Sequence, residues 1–199
     1  MPQIFRYFRS PRSFAPFVSE PRECTLCHIT KLGYNGPYFG REELDFACED
    51  CIANGSLVAA GFSTNEGDEP SVRGGLTIAN REQSLDFIRA EAARRTLVLA
   101  AHTPHASTWQ PFAWPVHCSD YCCYLKEAGQ VDILGLSSND SVAFLATHLG
   151  VGYSIGSASD LWHMMRPDSP NDLSEPWSTS FYLFQCLDCS DHVVLWDSD

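Results

Sequence analysis

The chain has 199 residues, of which 44% are apolar and 12% aromatic, enough for a core within one domain or one domain with an appended lobe. Its formal net charge of −12 disfavours contact with nucleic-acid phosphates. No run approaches the roughly 18 consecutive apolar residues of a membrane-spanning helix.

Residues 1–21 are rich in Pro, Phe and Ser, and Pro2, Pro11, Pro16 and Pro21 deny them a regular helix, so they are expected to run extended over the surface. Arg6, Arg9 and Arg12 alternate with Phe5, Phe8, Phe14 and Phe17, which leaves no continuous apolar centre of a secretory signal. The expected compartment is the cytoplasm, where nine cysteines stay reduced and paired cysteines bind metal or do redox chemistry. Residues 23–55 form a cysteine module with a strand at 32–34 and a turn at Asn35-Gly36-Pro37. Residues 62–80 hold Gly67, Pro70, Gly74 and Gly75 among polar residues and read as a loop or linker.

A helix is expected over 81–99, capped by Asn80, because Leu85, Ile88, Ala92 and the 97–99 stretch repeat near 3.6 residues. Residues 103–116 carry Pro104, Trp109, Pro111, Trp114 and Pro115 and are expected to supply core aromatics rather than a long helix. Shorter helices are read at 139–149 and, capped by Ser159, at 159–165. The aromatic and β-branched runs 179–185 and 193–196 form a strand pair with a cysteine turn between them. No internal repeat stands out beyond the recurring cysteine pairs.

The clearest chemical signal is Cys24-x-x-Cys27 followed, twenty residues later, by Cys48-x-x-Cys51. Each turn aims two thiolates at one point, and two such turns complete a tetrahedral zinc site. A redox pair is disfavoured because neither turn opens a helix within a βαβ unit. A second site is assembled from Cys118, Cys122, Cys186 and Cys189, across a loop of more than sixty residues that costs little closure entropy. Cys122 and Cys123 are adjacent and point apart, so one is spare, and His117 is an alternative ligand. Four thiolates close the coordination shell, so both sites are read as structural and no catalytic residue is assigned. The alternative is a metal-dependent enzyme at the second cluster, with His117, Asp120 and Cys123 beside an open position.

Charge is unevenly placed. Residues 1–95 hold 11 basic and 13 acidic groups, whereas residues 96–199 hold only Lys126 and Arg166 against 12 acids. An acidic half of this kind attracts a basic partner.

The run from Cys24 through Gly33-Tyr34, Gly36-Pro37-Tyr38 and Glu42-Glu43-Leu44-Asp45 to Cys48-x-x-Cys51-Ile52-Ala53-Asn54-Gly55-Ser56 resembles the N-terminal signature of the CbrC family of bacterial colicin-tolerance proteins. Thr103-Pro104, Trp109-Gln110, Trp114 and His117-Cys118-x-Asp120-x-Cys122 resemble its middle motif, and Tyr182-Leu183-Phe184-x-Cys186-Leu187-x-Cys189 its C-terminal one. The resemblance implies zinc binding and a link to tolerance of a DNase-type colicin. Nuclease toxins are basic, so an acidic surface including Asp132, Asp140, Asp160, Asp168, Asp172 and Glu175 is expected to steer one onto this protein.

The sequence thus predicts an α+β protein: an arm and first zinc module (1–61), a loop or linker (62–80) and an α+β lobe with the second cluster (81–199), in one continuous domain or two lobes. It is expected to be non-enzymatic and to act through protein contacts as a tolerance or immunity factor, binding neither nucleic acid nor membrane.

Overall fold

The computed structural model describes residues 5–108, 110, 112–137, 140–150, 157–172 and 177–198. Pro2, Trp109, Pro111 and Glu175, named above, and the start of the helix read at 139–149 lie outside the described residues.

The opening arm does not lie on the surface. Phe5, Tyr7 and Phe8 are each at most 1% exposed, because three large aromatics in four residues gain more from burial than the arm loses in freedom. Backbone bonds clamp it in place: Arg9 N donates to Tyr124 O and Tyr124 N to Tyr7 O, both at 2.8 Å. A short helix α1 (Pro11–Phe14) follows, with proline in its first turn, where no N–H is needed.

β1 (Phe17–Glu23), β2 (Thr30–Asn35) and β3 (Phe46–Cys48) form an antiparallel sheet in that order. The strand expected at 32–34 is β2. Gly33 pairs with Cys48 across β2 and β3, and a Cβ at Gly33 would stand 2.2 Å from the Ala47 carbonyl oxygen, so only glycine permits this approach. α2 (Glu49–Ala53) begins directly after Cys48, and α3 (Ser56–Ala59) follows across Gly55, whose φ of 79° suits glycine.

The stretch 62–80, expected as a loop, contains helix α4 (Glu69–Ala79). Asp68 caps it by accepting the Ser71 N–H at 3.1 Å, and Pro70 occupies the first turn. Val72 and Leu76 bury one face in the main core. Gly75 lies against the Cys118 turn, where a Cβ would stand 2.1 Å from the Cys118 carbonyl oxygen. α5 (Leu85–Ala101) then starts later than expected, capped by Ser84 rather than by Asn80. Asn80 instead closes α4, its Nδ2 donating to Leu76 O at 3.2 Å.

β4 (Val116–His117) and β5 (Asp120–Tyr121) form a tight hairpin, and β6 (Cys123–Glu127) leads into α6 (Gln130–Leu136). α6 was not legible in the sequence. Its Asp132 accepts the Gly129 N–H at 2.9 Å. α7 (Ser141–His148) is capped by Asp140, and α8 (Ala158–Met164) by Ser157, two residues earlier than expected. β7 (Thr179–Gln185) and β8 (His192–Ser198) complete an antiparallel sheet β6-β7-β8.

That sheet separates two cores because successive strand side chains face opposite ways. Tyr182 and Phe184 face the main core with Tyr124 and Trp114, whereas Phe181 and Leu183 face a second core with Ile133, Leu145 and Leu161 from α6, α7 and α8. The fold is α+β, with helices gathered beside antiparallel sheets. Among the described residues no helix is long and apolar enough to cross a membrane.

Candidate metal centres

The tip of the β1–β2 hairpin carries Cys24-x-x-Cys27. Cys24 N donates to Ile29 O (3.1 Å) and His28 N to Cys24 O (2.8 Å), with His28 in the left-handed region at φ 57°. The tip of the β7–β8 hairpin repeats this pattern. Cys186 N donates to Asp191 O (2.7 Å) and Ser190 N to Cys186 O (3.1 Å), with Ser190 at φ 64°. Both turns curl the backbone so that two thiols share one side, the local geometry that a chelate needs. The two turns share little sequence beyond Cys-x-x-Cys, so this repeat is visible only in the backbone.

At the first centre, the Sγ atoms of Cys24, Cys27, Cys48 and Cys51 all lie within 4.8 Å of one another. Cys48 ends β3 and Cys51 lies in α2, so the sheet register set by Gly33 carries one pair of sulfurs to the other. Cys24, Cys48 and Cys51 are buried and Cys27 half-buried, walled by Val18, Leu26 and Phe46. Burial pushes the Cys24 thiol up, but amide hydrogen bonds from Cys48, Cys27 and Leu26 outweigh it and bring the group down to about 7. Cys48 and Cys51 are pushed up, first by burial and, for Cys51, also by the neighbouring thiols. Four crowded thiols of which one ionises readily are the donor set a divalent soft cation completes, since the ion removes the mutual repulsion of the other thiolates.

At the second centre the converging group is His117, Cys118, Cys186 and Cys189, again within 4.8 Å. His117 Nδ1 stands 3.4 Å from both the Cys118 and the Cys189 sulfur. His117 and Cys118 occupy the β4–β5 hairpin, with Cys118 at φ 55° turning both side chains toward the β7–β8 tip. Cys122, assigned to this site from spacing, stands elsewhere. By residue 122 the chain has passed the hairpin, and the Cys122 side chain is fully buried in the main core, where burial raises its pKa. Cys123 is likewise fully buried, its Sγ 3.7 Å from Tyr124 O.

Around this second centre lie residues that spacing did not reveal. Asp191 places Oδ2 3.7 Å from His117 Nε2 and Oδ1 3.2 Å from His148 Nε2. A carboxylate facing the far nitrogen of a metal-facing imidazole orients the ring and raises its basicity. The Asp191 carboxyl is held low by the His192 backbone N–H and by His148 and His117. Val116, His117, Cys118, His148, Asp191 and Val193 line one cleft of about 820 Å³. The centres therefore differ: the first has three buried thiols and one half-buried, while Cys118 and Cys189 of the second are exposed.

Asp120, placed beside an open position in the alternative reading above, serves the fold. It is 1% exposed and accepts from Arg6 (2.7 Å), Tyr7 (2.8 Å) and its neighbour's amide, Tyr121 N (2.9 Å), with Arg95 at 3.3 Å. Arginines of the N-terminal half thus neutralise an acid of the C-terminal half, so charge asymmetry along the chain overstates asymmetry in space. Asp197 and Glu127 are also buried. Of the acids expected on a docking surface, Asp140 is an exposed helix cap, Asp160 is exposed in the first turn of α8 and accepts the Ser157 N–H, Asp168 pairs with Arg166 at 2.9 Å, and Asp132 is partly covered against Lys126 at 3.0 Å.

Comparison with known proteins places these features in a family context. The UPF0167 protein PA1536 of Pseudomonas aeruginosa is 26% identical over 189 residues, spanning 93% of this chain and 90% of that protein. No solved structure matches the chain. The family model described as "Uncharacterised protein family (UPF0167)" matches residues 2–198, across both cysteine centres, and the chain belongs to that family.

Proposed function

We propose that this is a zinc-binding, non-enzymatic protein of the bacterial cytoplasm that acts through protein contacts, as a tolerance or immunity factor against a nuclease toxin. The observation that carries the metal assignment is the convergence of four ligand atoms within 4.8 Å in each of two clusters. Zinc suits both: thiolate and imidazole donors at four-ligand sites are its usual shell, and a set of four cysteines, or of three cysteines and one histidine, leaves no open position for water. Cys24, Cys27, Cys48 and Cys51 would hold one ion, and His117, Cys118, Cys186 and Cys189 the other. The toxin link draws on the resemblance of the cysteine signatures to the CbrC family and on exposed acids, among them Asp140, Asp160, Asp172 and Asp188.

Elemental analysis of purified protein should give two zinc ions per chain, and one or none would count against the reading. Mixing the protein with basic nuclease domains at low and high salt should give a complex that weakens as salt rises. Absence of any complex with such domains removes the toxin assignment and leaves the metal assignment standing. A second reading, a metal-dependent enzyme at the second centre, is favoured by the adjoining cleft. Cobalt-substituted protein separates the two, because a visible spectrum that changes when a small anion is added would reveal an open coordination position.

A further inference from the structure

The two centres share one donor chemistry and differ in access. At the first, Cys24 and Cys48 are 0% exposed and Cys51 4%, behind Val18, Leu26 and Phe46, and Cys27 is half-buried, with no thiol exposed. At the second, Cys118 and Cys189 are exposed, with only Cys186 buried. The exposed pair also has the geometry to join. Both sulfurs lie 3.4 Å from the same nitrogen, His117 Nδ1, and within 4.8 Å of each other. Each stands in a hairpin turn outside the strand ladders, Cys118 between the paired His117 and Asp120 and Cys189 between the paired Gln185 and His192. Cys118 further lines the cleft of about 820 Å³, a route by which a small oxidant reaches the sulfur.

We propose that the second centre is a peroxide-sensitive zinc site, in which Cys118 and Cys189 oxidise to a disulfide and release the ion while the first centre stays loaded. This rests on the zinc occupancy proposed above. One exposed thiolate attacks the peroxide O–O bond, giving a sulfenic acid and hydroxide. The other thiolate then attacks that sulfur, the S–S bond forms and a second hydroxide leaves. Two electrons pass from two thiolates to one peroxide. The ion, left with Cys186 and His117, dissociates.

Cys186 is spared because it is buried and its sulfur accepts the Asp188 N–H at 3.4 Å. Cys122 and Cys123 are spared because both are 0% exposed in packed core. Access, rather than thiolate basicity, selects the pair, since zinc ionises the sulfurs of both centres alike. A thiol reductant reverses the step by splitting the disulfide, which returns both thiolates to rebind zinc.

The test uses full-length protein carrying two zinc ions, treated with hydrogen peroxide in the presence of a chromogenic zinc chelator. One zinc per chain is expected to be released about tenfold faster than the other, together with the loss of two thiols. Peptide mapping should place the new disulfide at Cys118–Cys189, and dithiothreitol with added zinc should restore two ions per chain. The Cys118→Ser protein, retaining the first centre, should show no fast phase and no disulfide at Cys189. Release of both ions at one rate, or a first disulfide containing Cys24, Cys27, Cys48, Cys51 or Cys186, overturns the proposal. Protein that holds a single zinc at the first centre before any peroxide is added shows instead that the second centre does not take zinc, and the proposal falls with that reading.

Discussion

Adjacent glycines in α4 offer a clean perturbation of the second centre. Gly75→Ala places a Cβ 2.1 Å from the Cys118 carbonyl oxygen and 2.8 Å from Ser119 Cα. A carbon and a carbonyl oxygen rest at about 3.3 Å, so one side must give by about 1.2 Å. The helix is pinned by Val72 and Leu76 in the main core, which leaves the β4–β5 turn to move. Zinc–ligand distances tolerate about 0.2 Å, so the displaced His117 and Cys118 lose the second ion before the fold is lost. Overpacking of this kind costs about 1–3 kcal/mol, which corresponds to an affinity loss of roughly 5- to 150-fold if the site bears it. Gly74→Ala is the matched control, because its Cβ meets nothing within 4 Å. It should raise stability by about 0.5–1 kcal/mol through helix propensity and leave zinc binding unchanged. Competitive chelator titration of wild type and both variants reads the result. Equal loss of both ions in Gly75→Ala, or undiminished affinity at the second centre, would refute the packing account.

Other consequences of the packing can be measured independently. Tyr124 buries a hydroxyl with no hydrogen-bond partner among the described residues, so Tyr124→Phe should gain about 1 kcal/mol in urea unfolding, and a loss would show that the hydroxyl has an energetic role. Asp120→Asn removes the buried charge that Arg6 and Arg95 face, and should cost about 1–3 kcal/mol by the same assay; a change under about 0.5 kcal/mol would contradict its role in holding the N-terminal arm. Hydrogen bonds from Arg94 and Arg95 hold the Glu91 carboxyl down to about 2, against burial that raises it. Because the folded value is the lower one, this pair's stabilisation is complete above the unfolded carboxylate value near 4.5 and fades as pH falls toward 2. Carboxyl NMR should find Glu91 still ionised at about pH 3.5; titration near 4.5 would contradict the pairing.

Periodicity and cysteine spacing made parts of the molecule legible from sequence, and their failures have physical causes. Cys24, Cys27, Cys48 and Cys51 were readable because each pair sits in a local turn whose spacing sequence records directly. The second centre joins a two-residue hairpin to a distant one, and there spacing alone offered Cys118, Cys122, Cys123 and His117 as near-equivalent choices. The backbone at Cys118, with φ 55°, decides which side chains face outward, and no residue type announces it. α4 was hidden because Gly74 and Gly75 lower helix propensity, yet Gly75 is needed for helix and turn to touch. The arm was placed outside because its prolines forbid a helix, but burial of Phe5, Tyr7 and Phe8 needs none. The β7–β8 pair was readable because both faces of its sheet are covered, so 181–184 and 193–196 are unbroken aromatic and aliphatic runs.

Whether two ions sit in unlike shells is read most directly by zinc-edge X-ray absorption on protein carrying two zincs per chain. Seven sulfurs at about 2.3 Å and one imidazole nitrogen at about 2.0 Å, shared between two four-coordinate ions, are expected. A spectrum dominated by oxygen ligands, or one that fits eight sulfurs with no imidazole, would contradict the assignment.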